Sequence, residues 1–349
     1  MPTLVKTSRF FSDELLERYR QQGDVSADAV ITSVTEAGGS TGLRSLMRWL
    51  ADPNDISTVE QPQAVQDFFV EYARLPTWAD SDKMKRGMAF FKKHAQQISL
   101  TLGFFSLPYS YLGANGAQVL WLTERIKNDP TRRLQETGEW VFAVNSPKEW
   151  LTGGAIYKTM KIRLIHAGAR WFSSQSGRWN MAWGYPVNQE DMAGTNLTFS
   201  YVVLLGLRKM GIGVSEQEEE DYLHHINVVN YLNGVAEELL PQNLREAYTL
   251  SQAIGQRQFA PSEAGVGLTH SLLNAVSSQL VQYGTDKQNA ARPETIRNLV
   301  AGEMRFFLGD RYADWLGIPN VPLEKRLAGL IGRLPFASMP LPNVQRRSF

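Results

Sequence analysis

The residues best suited to chemistry are Arg163-x-x-His166-x-x-x-Arg170, in the run KTMKIRLIHAGAR from Lys158 to Arg170. Spacings of i, i+3 and i+7 put the three side chains on one face of an α-helix at about 3.6 residues per turn. Ile162, Leu164, Ile165, Ala167 and Ala169 make their surroundings apolar. Two guanidiniums are costly to bury there without anionic partners. Two readings meet that demand. In one, the arginines pair with carboxylates of the chain and His166 is merely packed. In the other, a haem supplies the partners: its iron takes a neutral imidazole and its propionates accept charge-assisted bonds from arginine. Spacing by itself favours the first.

The other histidines are His94, His224, His225 and His270. His224-His225 adjoins the acidic run Glu216 to Asp221 and reads as a solvated helix face or an interface. Neighbours on a helix point about 100° apart, so the pair is a poor chelate. The acidic run complements the helix dipole. There is no H-E-x-x-H and no G-x-x-x-x-G-K-[ST]. Gly38-Gly39-Ser40-Thr41-Gly42 lacks the following lysine and reads as a turn. Zero Cys excludes thiol catalysis, Cys-ligated clusters or zinc, and disulfides.

The elements that must position these residues are helical. Ser146-Pro147-Lys148-Glu149 and Ser215-Glu216-Gln217-Glu218 are capping boxes. The second predicts a helix to about Leu240, stopped by Pro241. Asp13 to Arg20, with Gly23 beyond it, and Leu43 to Leu50, Ala64 to Leu75, Asp82 to His94 and Thr295 to Phe307 carry helical periodicity. Gln256 to Gly267 reads as a loop, and the tail from Leu334 as a Pro-rich surface segment. Strand alternation is scarce. No linker is evident, which predicts one large all-α domain over 1–349, with peripheral helices.

The 349 residues carry 36 Lys+Arg against 35 Asp+Glu, a balance that argues against a general nucleic-acid binder. The content of 9 Trp, 12 Tyr and 16 Phe suits a large apolar pocket or simply a packed core. The longest uncharged stretch, Ala95 to Thr123, is interrupted by polar residues, Pro108 and Gly113 to Gly116, so it is expected to be buried wall in two pieces, without a membrane span. The N-terminal residues show no export signal, and a cytoplasmic protein is expected.

Several ordered segments carry a resemblance. They are LPTWAD (Leu75 to Asp80), RLQETGEWV (Arg133 to Val141), Arg163-x-x-His166-x-x-x-Arg170, the stretch from Pro186 to Ser215, HHINVVNYLNGVAEELLP (His224 to Pro241) and RFFLGDRYADWLGIP (Arg305 to Pro319). Together they resemble the latex clearing protein (rubber oxygenase) and mycophenolic-acid MpaB oxygenase superfamily. The resemblance implies a globin-like haem-binding helical core over 75–320, an N-terminal helical extension over 1–74 and a tail over 321–349. It implies haem b as cofactor, with His166 as proximal iron ligand and Arg163 and Arg170 in the haem-site motif; propionate pairing is the role expected of the arginines. It aligns Arg133, Glu136 and Thr137 with the distal Arg-x-x-Lys-Thr motif of rubber oxygenases. Glu136 replaces the lysine, so lysine capping of the iron is not expected, and Glu136 is a candidate acid/base group. No carboxylate stands at Gly116 to Gln118, where the rubber enzymes' catalytic glutamate would fall. The function implied is a haem-dependent oxygenase that uses O2 on an apolar, isoprenoid-like small molecule other than rubber. The alternative is a haem protein without oxygenase turnover: a gas sensor, haem carrier or peroxidase-like protein.

Overall fold

The computed structural model describes residues 8–123, 129–283 and 293–328. Among these residues the regular elements are helical, and the β-pairing is an isolated bridge between Gly113 and Phe259. In chain order the helices are α1 (Asp13–Arg20), α2 (Val25–Ala51), α3 (Gln63–Tyr72), α4 (Ser81–Lys93), α5 (Ala95–Thr101), α6 (Leu107–Ser110) and α7 (Ala117–Leu122). There follow α8 (Pro130–Val144), α9 (Pro147–Leu151), α10 (Gly154–Gln175), α11 (Gln189–Phe199), α12 (Tyr201–Lys209), α13 (Glu216–Leu232) and α14 (Leu244–Gln258). The last are α15 (Glu263–Tyr283), α16 (Pro293–Leu308), α17 (Asp310–Trp315) and α18 (Pro322–Leu327). The tail from Leu334 lies outside the described residues.

Helix starts follow side-chain chemistry. Ser12 accepts from the Leu15 N–H ahead of α1, and Asp24 from the Ala27 N–H ahead of α2. Ser146 and Pro147 open α9 where expected, but Ser146 makes no side-chain cap bond, and Glu149 accepts from Lys158 at 3.0 Å. α13 starts at its predicted box yet ends at Leu232, well before Leu240. Gly234 (φ 87°) turns the backbone left-handed there, and the Val235 N–H returns to the Asn230 carbonyl. The loop expected over Gln256 to Gly267 shrinks to the residues between α14 and α15. Gly265 and Gly267 lie within α15, where both meet close neighbours: a Cβ at Gly265 would lie 2.7 Å from the Tyr111 carbonyl oxygen, and Gly267 lies against the Trp121 ring. The Gly38 to Gly42 turn is a one-residue break within α2, at Gly39 (φ 56°, ψ −153°).

The chain divides into two compact units: residues up to Phe90 with Trp140–Asn196 and Gln217–Ile254, and Phe91–Glu139 with Leu197–Glu216 and residues from Gly255 onward. The core of the first packs Met160, Leu164 and Ala167 of α10 with Val30, Ile31, Val34 and Leu46 of α2 and Val65, Phe68 and Phe69 of α3. Each large apolar side chain buried there contributes about 1.5–3 kcal/mol. Gly168 keeps α10 close to Met47, whose Sδ would lie 2.8 Å from an added Cβ. Lys161 is buried at the edge, with its ammonium 4.3 Å over the Trp49 ring and donating to the Asp52 and Asp55 carbonyls. Burial brings its pKa down to about 8.

In the second unit the uncharged Ala95 to Thr123 stretch folds as α5, a π-turn over Leu102–Ser106, α6 and, after the Gly113 to Gly116 break, α7. Ile98, Phe104, Phe105, Leu112 and Val119 are buried, and Phe105 stacks on Phe307. No described helix is long and apolar enough to cross a membrane.

Candidate functional site

Burial separates the three residues of the α10 motif. Arg163 and Arg170 are buried, whereas His166 is half-buried. Ile162, Ile165 and Ala169 are half-buried with it, so these four positions, spaced i, i+3, i+4 and i+7, form one stripe along the helix. The stripe is apolar except for the imidazole.

Both arginines meet carboxylates of the chain. Arg163 donates through Nε and Nη2 to Asp24 at 2.5 and 3.0 Å, and its guanidinium lies over the Phe68 and Tyr72 rings at 5.2 and 5.0 Å. Arg170 donates through Nε to Asp28 at 2.6 Å and through Nη1 to the Val187 carbonyl at 3.3 Å. Burial raises the Asp28 carboxyl above its ordinary pKa despite the opposing pull of Arg170. Arg163 and Arg170, expected at the haem propionates, pair here with Asp24 and Asp28 at the start of α2. A sequence signal existed for Asp24, since Asp directly before the apolar run VSADAVI marks a helix cap. What the sequence does not reveal is an ion pair across 139 residues.

The surroundings of these pairs are tightly built. Gln189 Nε2 donates to the Gly23 and Gly234 carbonyls at 3.0 and 2.9 Å, and its Oε1 accepts from the Ala236 N–H. Nearby, Arg20 reaches Glu190 at 3.2 Å and Asp191 at 3.3 Å. Burial raises Asp191 to about 6, with Arg20 opposing the shift. Sequence reading missed this network, whose members are scattered along the chain.

Arg133, Glu136 and Thr137 come together on one turn of α8. Glu136 accepts from Arg132 Nε at 3.1 Å and lies 3.7 Å from Arg133 Nη1. Thr137 Oγ1 donates to the Arg133 carbonyl at 2.9 Å, so its proton is spent within the helix. Two arginines of the same helix thus compensate the Glu136 charge.

His224-His225 is not a solvated face. His225 is fully buried and donates from Nε2 to the Val144 carbonyl at 3.0 Å, which also accepts from Trp150 Nε1 at 2.7 Å. The last carbonyl of α8 is thereby doubly capped. Burial holds His225 near a pKa of about 4. His224 Nε2 accepts from the Asp80 N–H at 3.0 Å. Glu219 and Asp221 of the acidic run are also buried, with Asp221 bound by Arg86 at 2.6 Å. The periodicity failed here because α13 is covered on the α4 side: at Gly87 an added Cβ would lie 2.7 Å from His225 Cβ. Among the described residues no three His, Asp or Glu side chains come together as a metal site.

Comparison with known proteins agrees with the geometry. Residues 94–335 match the family model "ER-bound oxygenase mpaB/B'/Rubber oxygenase, catalytic domain". The chain is 24% identical over 329 residues to the Rubber oxygenase of Streptomyces sp. (strain K30), covering 92% of this chain and 78% of that protein. Its fold is similar to that of Latex Clearing Protein LCP in the closed state, with a TM-score of 0.70 and 22% identity over 93% of this chain and 86% of that one. An oxygenase needs O2 and a substrate, and this family suggests a metal cofactor. With the family model spanning most of an all-α chain that carries the α8 and α10 motifs, the protein is an oxygenase of the mpaB and rubber oxygenase family.

Proposed function

We propose that this protein is a haem b-dependent oxygenase acting on an apolar, isoprenoid-like small molecule. The observation that carries the reading is the half-buried His166 imidazole within the apolar stripe of Ile162, Ile165 and Ala169. Haem asks of a protein one neutral imidazole and an apolar surface, and this donor set fits it. His166 would hold the iron, and the haem, when bound, supplies O2 activation. Arg163 and Arg170 are committed to Asp24 and Asp28 and are not assigned to the propionates.

The chain's own part is orientation and proton handling. On α8, Arg133 offers guanidinium donors to developing negative charge. Glu136, whose carboxylate is compensated by Arg132 and Arg133, is our candidate acid/base group. Thr137 offers acceptor lone pairs, its proton being held by the Arg133 carbonyl. The name of the Streptomyces relative supports an isoprenoid-like substrate class.

The test is spectroscopic. Purified protein is expected to show a Soret band at one haem per chain that shifts when carbon monoxide is added after dithionite. His166→Ala is expected to lose both the band and the shift. A His166→Ala variant with full haem and the same spectrum overturns the ligand assignment. A wild-type protein with no Soret band after haem reconstitution overturns the haem reading.

A further inference from the structure

We propose that Asp24 and Asp28 are positioning residues for His166. They lie outside the 94–335 segment matched by the family model, yet they complete its Arg-x-x-His-x-x-x-Arg motif. The inference rests on the haem reading of α10 given above.

The carboxylates sit one turn apart at the start of α2, and each binds one arginine of α10. Asp24 does two jobs at once: its Oδ1 accepts from the Ala27 N–H that opens α2 and from Arg163 Nη2. A carboxylate at a helix N-terminus is also favoured by the helix dipole. The arginines are enclosed as well as paired. A Cβ at Gly23 would lie 2.9 Å from Arg170 Cδ, and one at Gly234 would lie 2.7 Å from Arg163 Nε. Gln189 ties the backbones at those two glycines together. Asp24 holds Arg163 through both Nε and Nη2, and Asp28 holds Arg170 through Nε, so the charge of each guanidinium is already compensated within the chain. The arginines therefore act as anchors that fix the rotation and depth of α10, and with it the direction of His166, one turn from Arg163 and from Arg170.

Anchoring and propionate binding predict opposite signs. If the arginines serve propionates, removing an aspartate frees a cation and tightens haem. If they are anchors, removing an aspartate loosens α10 and weakens haem, whatever the state of the propionates. Asp28 is the primary variant because its side chain is 25% exposed and its loss is better tolerated than that of buried Asp24.

The experiment compares wild type, Asp28→Asn, Asp28→Glu and Asp24→Asn. It reads thermal unfolding of the haem-free proteins, the rate of haem transfer to apomyoglobin, the same rate for haem dimethyl ester, and the iron's spin-state signature. We expect Asp28→Asn to unfold at lower temperature and to lose haem and its dimethyl ester faster by the same factor, about tenfold, as for residues that orient metal ligands. Its spin-state signature should shift, and Asp28→Glu should recover much of the wild-type behaviour. Slower loss of haem with the ester unaffected overturns the proposal in favour of propionate binding. Lower stability with unchanged loss rates and spectrum in both Asn variants reduces the aspartates to fold residues and overturns it too. Wild-type protein that takes up no haem overturns this proposal and the haem reading together, whereas the preceding two outcomes overturn this proposal alone.

Discussion

Val187 has a positive φ of 46°, the single non-glycine residue to do so among those described. A β-branched side chain in that region costs about 1–2 kcal/mol. Its neighbours hold it there: the Val187 carbonyl accepts from Arg170, and Asn188 caps α11 by accepting from the Asp191 N–H at 2.9 Å while donating to the Tyr185 carbonyl at 2.8 Å. Val187→Gly is expected to relieve the strain and raise stability by about 1 kcal/mol in urea unfolding, after the entropy glycine costs is deducted. A loss of stability would show that packing of the half-buried valine outweighs its strain. None of this is visible in the string PVNQEDM, because backbone strain depends on which partner holds the carbonyl.

At the scale of elements, glycines within helices divide by what a side chain would meet. Gly206 of α12 lies against Thr101, leaving no room for a Cβ. Gly138, next to Thr137 in the middle of α8, is half-buried and has nothing described within 4 Å of an added Cβ. Gly138→Ala should therefore stabilise the fold by about 1 kcal/mol, the helix-propensity difference. Gly206→Ala should destabilise it by about 1–3 kcal/mol through overpacking. Chemical denaturation checks both, and equal effects of the two substitutions would refute the packing argument. The same contrast explains which boundaries were legible. The Ser146-Pro147 and Ser215-Glu216 starts depend on local chemistry and hold. The end of α13 is also marked locally, by Gly234 in YLNGV, and the predicted run to Pro241 overran it; only what lies against that glycine, Asp24 and Arg163, is distant in sequence.

For the whole molecule, fully buried His225 and half-buried Asp191 give opposite pH slopes. Burial lowers His225 from 6.5 to about 4, so on acidification the unfolded chain is protonated first. The His225 contribution is complete above pH 6.5 and is lost as the pH falls to about 4. Burial raises Asp191 from 3.8 to about 6, so there the folded chain is protonated first. Its contribution is complete below pH 3.8 and is lost as the pH rises to about 6. At about 1.4 kcal/mol per unit, each is worth roughly 3 kcal/mol. The two largely cancel between about pH 4 and 6. Urea midpoints across that range should show His225→Gln, which keeps a donor for the Val144 carbonyl, gaining stability on acidification relative to wild type. Asp191→Asn should lose it. Parallel profiles for all three proteins would sink the assignment.

The sequence by itself determined the helical class, several helix starts and the motifs on α8 and α10, because periodicity, caps and short spacings act within a few residues. It also carried the family through Arg163-x-x-His166-x-x-x-Arg170 and its companion segments. Only the tertiary structure decided what those residues touch. Asp24 and Asp28 claim the two arginines, Val144 claims His225, and Arg132 and Arg133 share Glu136. The reason is energetic: a buried charge or donor must find its complement, and the chain brings that complement from wherever packing allows, in Asp24 and Arg163 from 139 residues away.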